Sequence, residues 1–300
     1  MKVIFAFVCL CLIGEFTPAL AQSRRAAYDS LIVGDRITPA VSSVMMPKSY
    51  TEVILSNSLL TSNQFFASDG SLYSFPGGGQ RDSYFFNTLQ VTHGLSPSGR
   101  FNAGIDLSYR TGRIDSDPES SPMKVFGSSS DGLIQYERAF TSVGLRARYI
   151  PFAKIRSLVI QHTFYIPING GGQESIFLGD SRYALNSQLL FNKFLGRKTF
   201  LFGQLDLYVR FKDALYKTDY TVPLNIFGGY LVTKHILPFV QLGTSRTWLE
   251  GFNTSSYTYG AGVQYQFTSM FNINFFYNDV FAGKNYSDWQ TFNLGVRGVF

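Results

Sequence analysis

Segments of strict period-two alternation, each about ten residues long, recur from one end of this chain to the other. No other feature constrains the fold as tightly. In the closing stretch "FNLGVRGVF", Phe292, Leu294, Val296, Gly298 and Phe300 fall on one parity, and Asn293, Gly295, Arg297 and Val299 on the other. "FNAGIDLSYR" sets Phe101, Ala103, Ile105, Leu107 and Tyr109 against Asn102, Gly104, Asp106, Ser108 and Arg110. "YTYGAGVQYQF" (Tyr257–Phe267), "FLFGQLDLYVRF" (Phe200–Phe211), "FNINFFYN" (Phe271–Asn278) and "VGLRARY" (Val143–Tyr149) repeat the pattern. Side chains two apart share a strand face, so each segment is a strand with one apolar and one polar side.

Strands of a soluble sandwich run to about five or six residues. These are nearer the length a tilted strand needs to cross a bilayer. A strand that is greasy on one face and wet on the other belongs in a closed barrel in lipid, which leaves no unpaired edge. The expected fold is all-β: a closed antiparallel transmembrane β-barrel of about twelve strands. Connections agree. Short ones fall at Ser96–Gly99, Pro151–Lys154, Leu195–Lys198, Thr233–His235 and Thr268–Met270. Longer ones alternate with them at Thr61–Gln80, Thr111–Asp131, Ile168–Ser181, Lys212–Thr221, Trp248–Ser256 and Phe281–Asp288. That predicts short periplasmic turns, long outer loops and both chain ends on the periplasmic side. Phe300 is expected to end the strand that closes against the first one, near "YTEVILSNSLL".

The opening "MKVIFAFVCLCLIGEFTPALAQS" places Lys2 before an apolar run and "ALA" before Gln22. It reads as a secretory signal over residues 1–21. Residues 22–49 follow as a periplasmic or lumenal segment, and 50–300 form the barrel. Removing Lys2 and Glu15 with the leader leaves the formal charge at +6. No lysine-rich arm or basic helix is present, so nucleic acid is excluded as a partner. Cys9 and Cys11 both lie in the leader, which excludes disulfides, thiol catalysis and cysteine-based metal sites from the mature chain. The 22–49 segment is too short for a plug domain of the energised importers.

The terminal Phe on an alternating strand, with the leader, resembles Gram-negative outer-membrane β-barrel proteins of the porin and transporter kind. "VTHGLSPSGRFNAGIDLSYR" (Val91–Arg110) resembles transport barrels associated with the meta pathway of phenol degradation. The resemblance implies the bacterial outer membrane as location, its lipid and lipopolysaccharide as surroundings, and the barrel-assembly machinery as a partner during insertion. An envelope protein partner is a further expectation.

Inward polar residues then carry the function. Strand direction places Arg110 and Arg210 toward the outer mouth, Arg146, Arg148 and Arg297 toward the periplasmic mouth, and Asp106 and Asp206 between them. Guanidinium groups at both ends favour small polar or anionic solutes in a passive channel or substrate-selective transporter. The competing reading is an internal Arg–Asp network that ties the walls together, in a non-conducting barrel that serves an envelope complex. Enzymatic activity is not expected. Of His93, His162 and His235, His162 shares the lipid-side parity of Leu158, Ile160, Phe164 and Ile166 and reads as a neutral side chain in a rough register or at a bulge, and no His-x-Ser spacing supplies a nucleophile. The Gly-rich "PGGGQ" (Pro76–Gln80) and "NGGGQ" (Asn169–Gln173) lack the following helix a phosphate cradle requires. "DSDPES" (Asp115–Ser120) lacks the spacing of a calcium loop and reads as a solvated acidic loop. No cofactor, metal or catalytic residue is assigned.

Overall fold

The alternating segments pair into one closed wall in the computed structural model, which describes residues 44–75, 79–127, 130–168, 177–179, 182–213, 216–249 and 251–300. Twelve antiparallel strands form the barrel. They are β1 (Thr51–Ser62), β4 (Arg81–Gly94), β5 (Phe101–Asp115), β6 (Leu133–Tyr149), β7 (Leu158–Pro167) and β8 (Ala184–Leu195). The circuit continues through β9 (Thr199–Arg210), β10 (Asp219–Tyr230), β11 (Ile236–Leu249), β12 (Phe252–Thr268), β13 (Phe271–Lys284) and β15 (Gln290–Val299). Neighbours in the chain are neighbours in the wall, and β15 closes on β1 from Glu52↔Val299 to Thr61↔Gln290. The seam ends with Thr51 and Phe300 exchanging backbone hydrogen bonds of 2.9 Å in both directions. The secretory signal expected over residues 1–21, and residues 22–43, lie outside the described residues.

Parity sorts the side chains as a membrane barrel requires. The outward face is aliphatic in the middle, with Ile105, Leu145, Leu189, Leu205, Val240 and Leu242 exposed. Toward the long-loop rim it turns aromatic with Tyr183, Phe211, Tyr220, Trp248 and Tyr257, and toward the short-turn rim with Phe101, Tyr230, Tyr265, Phe267 and Phe271. An apolar band between two aromatic girdles is the surface that lipid covers. Charged residues such as Glu52, Asp106, Arg146, Arg148 and Arg297 are instead buried on the inward parity.

The long-loop side differs from the expected connections. Trp248 and Leu249 still belong to β11 and Phe252–Ser256 to β12, with Trp248↔Asn253 and Leu249↔Phe252 paired. Phe281–Lys284 likewise remain in β13. Alternation continues past the lipid band there, so the hairpins project as paired strands and not as irregular loops. Gly251 supplies the left-handed turn residue, at φ +70°. The first long connection forms β2 (Gln64–Phe66) and β3 (Leu72–Ser74), which join β14 (Tyr286–Ser287) in a small separate sheet. Within "DSDPES" only part is solvated: Asp115 is buried, held by Arg113 Nη2 at 2.6 Å and by the Ser120 hydroxyl at 3.2 Å. Most of the two Gly-rich stretches lies outside the described residues.

Beside the small sheet stands one carboxyl displaced from its ordinary range. Burial, and second the Asp279 carboxylate, push the carboxyl of Asp288 up to about 6 from its ordinary 3.8. Asp288 adjoins β14, and its backbone N–H donates to Gln64 O at 3.0 Å. A pKa raised on folding means the folded loop binds the extra proton. Its contribution is complete below about pH 4 and is lost as pH rises through about 6. Hydrogen exchange of residues 285–289, corrected for intrinsic rate, should therefore show stronger protection at pH 5 than at pH 7.5. Asp288→Asn should remove the difference, and an unchanged pH dependence in that variant would assign the effect elsewhere.

Candidate functional site

The lumen is filled at its short-turn end, and the filling has a charged half and an apolar half. Glu52 is the hub of the charged half. It is the second residue of β1, on the inward parity, and its carboxylate accepts from Arg297 Nε of neighbouring β15 at 2.7 Å. Its other oxygen accepts from Arg148 Nη1 at 3.3 Å. β4 and β5 stand between β1 and β6, so Arg148 reaches Glu52 across the interior. All three side chains are at most 4% exposed. Charges so far from water persist only when paired and hydrogen-bonded.

From Arg148 the network continues around the wall. Arg148 Nε donates to Gln161 Oε1 at 2.8 Å, Gln161 to Gln188 Oε1 at 2.5 Å, and Gln188 to Asp206 Oδ2 at 3.1 Å. Gln204 donates to the same carboxylate at 2.9 Å. A hydrogen-bonded belt thus links β15, β1, β6, β7, β8 and β9. Separately, Arg146 Nη2 donates to Asp106 Oδ2 at 2.5 Å. With Asp206 on the belt, the network sets Arg146, Arg148 and Arg297 against Glu52, Asp106 and Asp206, three charges of each sign, and all three arginines gather around the first two carboxylates.

Residues 44–50, just before β1, are threaded into this end. Met46 N–H donates to Asn102 Oδ1 at 2.9 Å, and Asn102 Nδ2 donates back to Met46 O at 2.7 Å. Arg148 Nη1 donates to Val44 O at 3.1 Å. Ser49 N–H donates to Gly94 O, and Gly94 N–H to Tyr50 O. Gly94 leaves room for this strap: a Cβ there would lie 1.9 Å from Pro47 O and 2.6 Å from Met46 O. Met45 packs on the apolar half, a cluster of Ile150, Val159, Leu190, Phe200, Phe202 and Phe227 with Phe194, Phe239 and Phe276 around it. The rings pack edge to face or tilted, as in Phe202–Phe227 at 5.6 Å and Phe227–Phe276 at 6.2 Å.

At the long-loop end, Arg110 stacks on Phe86 at 4.5 Å and donates to Leu178 O at 2.7 Å, drawing residues 177–179 against the wall. Phe177 and Trp289 both meet the ring of Tyr84. Arg210 donates to Asp219 at 2.7 Å, and Asp219 also pairs with Arg182.

Of the residues singled out from sequence, the structure brings together Arg146 with Asp106, and Arg148 with Arg297. It keeps Arg110 and Arg210 apart at the other end. Asp206 meets neutral amides and not an arginine. Sequence reasoning missed Glu52, Asn102, Gln161 and the strap. Glu52 had a signal: it is the one carboxylate on the inward parity of "TEVILSNSLL" and lies next to the strand carrying Arg297. The inward aromatic cluster also departs from the expected polar lining.

His162 departs from expectation as well. It faces outward as read, but Ser187 of neighbouring β8 brings its hydroxyl to 2.9 Å from Nδ1. Spacing along one strand could not reveal a partner across two. The ladder β7–β8 runs unbroken through both residues, so their backbone N–H groups serve strand pairing and not an oxyanion.

No family model matches the chain, and no curated protein matches it by sequence. Solved structures do match. The crystal structure of an outer-membrane channel from Pseudomonas putida F1 superposes with a TM-score of 0.65 at 15% identity, over 88% of this chain and 100% of that one. The β domain of the Bordetella autotransporter BrkA follows with a TM-score of 0.52 at 16% identity, over 83% of this chain and 100% of that one. In fold, the chain is a twelve-stranded barrel of the outer-membrane type.

Proposed function

We propose that the protein sits in the bacterial outer membrane, with the short turns in the periplasm, and works as a passive channel or substrate-selective transporter for small polar or anionic solutes. One observation carries this reading: three inward-facing guanidinium groups gathered around two carboxylates, beneath a strap held through a few polar contacts. A lumen meant only to be solid has no need of a separable closure. The local arginine excess around Glu52 and Asp106 favours anions wherever the path opens, and Arg110 and Arg210 at the long-loop mouth add to it. The fold of the Pseudomonas putida F1 channel supports the channel class and leaves the solute open. The leader and the barrel-assembly machinery would bring the chain to its membrane.

The rival reading is a non-conducting barrel in an envelope complex, and the pairing of Glu52 and Asp106 with arginines favours it. A hydrolase is the weaker reading, because the His162–Ser187 pair lacks free backbone donors beside it. Planar-bilayer recording of the purified full chain separates the first two. The channel reading expects discrete conductance steps and a reversal potential displaced toward the anion, more so at low salt, where screening is weak. Arg110→Gln should reduce that displacement. A silent wild type that also stays silent after loss of the strap would decide for the non-conducting barrel.

A further inference from the structure

Three turns of the short-turn rim carry positive charge only. They join β6 to β7, β8 to β9 and β10 to β11, and read "IPFAKIRS" (150–157), "LGRK" (195–198) and "LVTKH" (231–235). Because β6 to β11 are consecutive neighbours in the wall, the turns lie side by side along one arc. Lys154, Arg156, Arg197, Lys198 and Lys234 are all exposed. No Asp or Glu occurs in the three turns, and none of the five cations joins an ion pair among the described residues. The opposite rim is mixed: its described loops carry Asp69, Asp117, Glu119, Asp131, Asp213 and Asp288 beside Lys124, Arg182, Lys212 and Lys217.

Apolar side chains are set between these cations and left uncovered. Phe152 is 56% exposed, Ile155 47%, Leu195 49% and Val232 54%. Just inside the rim, Lys193 lies on the outward parity of β8, and Lys198 Nζ sits 5.8 Å from the ring centre of the outward Tyr230. Self-repelling cations around exposed apolar groups are unfavourable in water alone. They suit the boundary of a bilayer, where the apolar groups dip among the acyl chains and the cations stay at the level of the phosphates.

We propose that this arc binds the headgroups of anionic phospholipids in the leaflet it faces. Guanidinium groups of Arg156 and Arg197 take phosphate oxygens in pairs, and the three lysines add point charge. Phe152, Ile155, Leu195 and Val232 enter the acyl region beside the same molecules, which is why a lipid fits better than a free anion. The inference rests on the proposed orientation, since the inner leaflet of that membrane is the phospholipid one.

The test uses the full-length protein in phosphatidylcholine vesicles with either spin-labelled phosphatidylglycerol or spin-labelled phosphatidylcholine. The fraction of each label immobilised at the protein gives their relative affinity. The wild type should prefer phosphatidylglycerol several-fold, with the preference shrinking in high salt. K154Q/R156Q/R197Q/K198Q/K234Q should bring the ratio close to one, and the long-loop control K124Q/K212Q/K217Q should leave it unchanged. If the fivefold variant fails to fold, K154Q/R156Q and R197Q/K198Q separately should each remove part of the preference. No preference in the wild type, or one that survives the fivefold change, overturns the proposal. So does complete competition by millimolar inorganic phosphate, which would mark a simple anion site. Loss of cross-links to an acidic periplasmic protein, with no lipid preference, would overturn it in favour of a protein partner. Cysteine labelling of intact cells at Ser98 and Asn253 tests the orientation alone: labelling from outside at Ser98 would end that reading and leave the vesicle result standing.

Discussion

Glu52→Gln should lower the stability of the folded barrel by about 3–5 kcal/mol, the usual cost of removing one partner from a buried ion pair. The substitution is nearly isosteric, so little packing is lost. It leaves Arg148 and Arg297 facing each other at a site almost closed to solvent, where water poorly replaces the carboxylate. Reversible urea unfolding from lipid vesicles, followed through Trp248 and Trp289, measures the loss. Adding Arg297→Gln to Glu52→Gln should recover part of it, because one uncompensated charge is removed with its partner. Asp206→Asn is the contrast. Its carboxylate accepts only from the amides of Gln188 and Gln204, so no charge is left behind, and the cost should stay near about 1 kcal/mol. A Glu52 variant as mild as the Asp206 one would mean that water reaches the hub, and the closed short-turn end would have to be given up.

The contrast also marks what the sequence made legible. Alternation is clean where the inward face is polar, as in β5, β12 and β15, and there strand, parity and direction followed directly. It fails where both faces are apolar. In "TFLFG" (Thr199–Gly203) the inward Phe200 and Phe202 flank the outward Leu201, and no polar residue marks the inside. Phe276 of "FNINFFYN" escaped for the same reason. The aromatic half of the lumen was therefore hidden in residues that looked merely hydrophobic. The hub was hidden by distance: Glu52 and Arg297 are 245 residues apart in the chain, and only closure makes them neighbours. The same argument covers Ser187, which a strand pairing brings to His162. Loop lengths misled at Trp248–Ser256, because charge and glycine suggested a loop where alternation had in fact continued.

The strap yields the most direct functional prediction, since two unrelated substitutions should release it. Gly94→Ala puts a methyl group where Pro47 O now lies, 1.9 Å from the new Cβ. The contact is with backbone, which cannot rotate away, so residues 46–47 must leave. Asn102→Ala acts without a clash, by removing the side chain that both accepts from Met46 N–H and donates to Met46 O. Two hydrogen bonds at about 1 kcal/mol each amount to about 2 kcal/mol, or roughly a thirtyfold shift from docked toward free strap. Both variants keep the ring of twelve paired strands, so heat-modifiable migration should persist. If the strap closes the channel, single-channel records of either variant should show a several-fold rise in the time spent open. Asp206→Asn, which does not touch the strap, should keep the open time of the wild type. Release bares Arg148 toward the lumen by removing its bond to Val44 O, so the opened state should also be more anion-selective than the rare openings of the wild type. Two variants that free the strap and yet conduct no better than the wild type would leave the aromatic cluster as the true closure. The non-conducting reading would then be the stronger one.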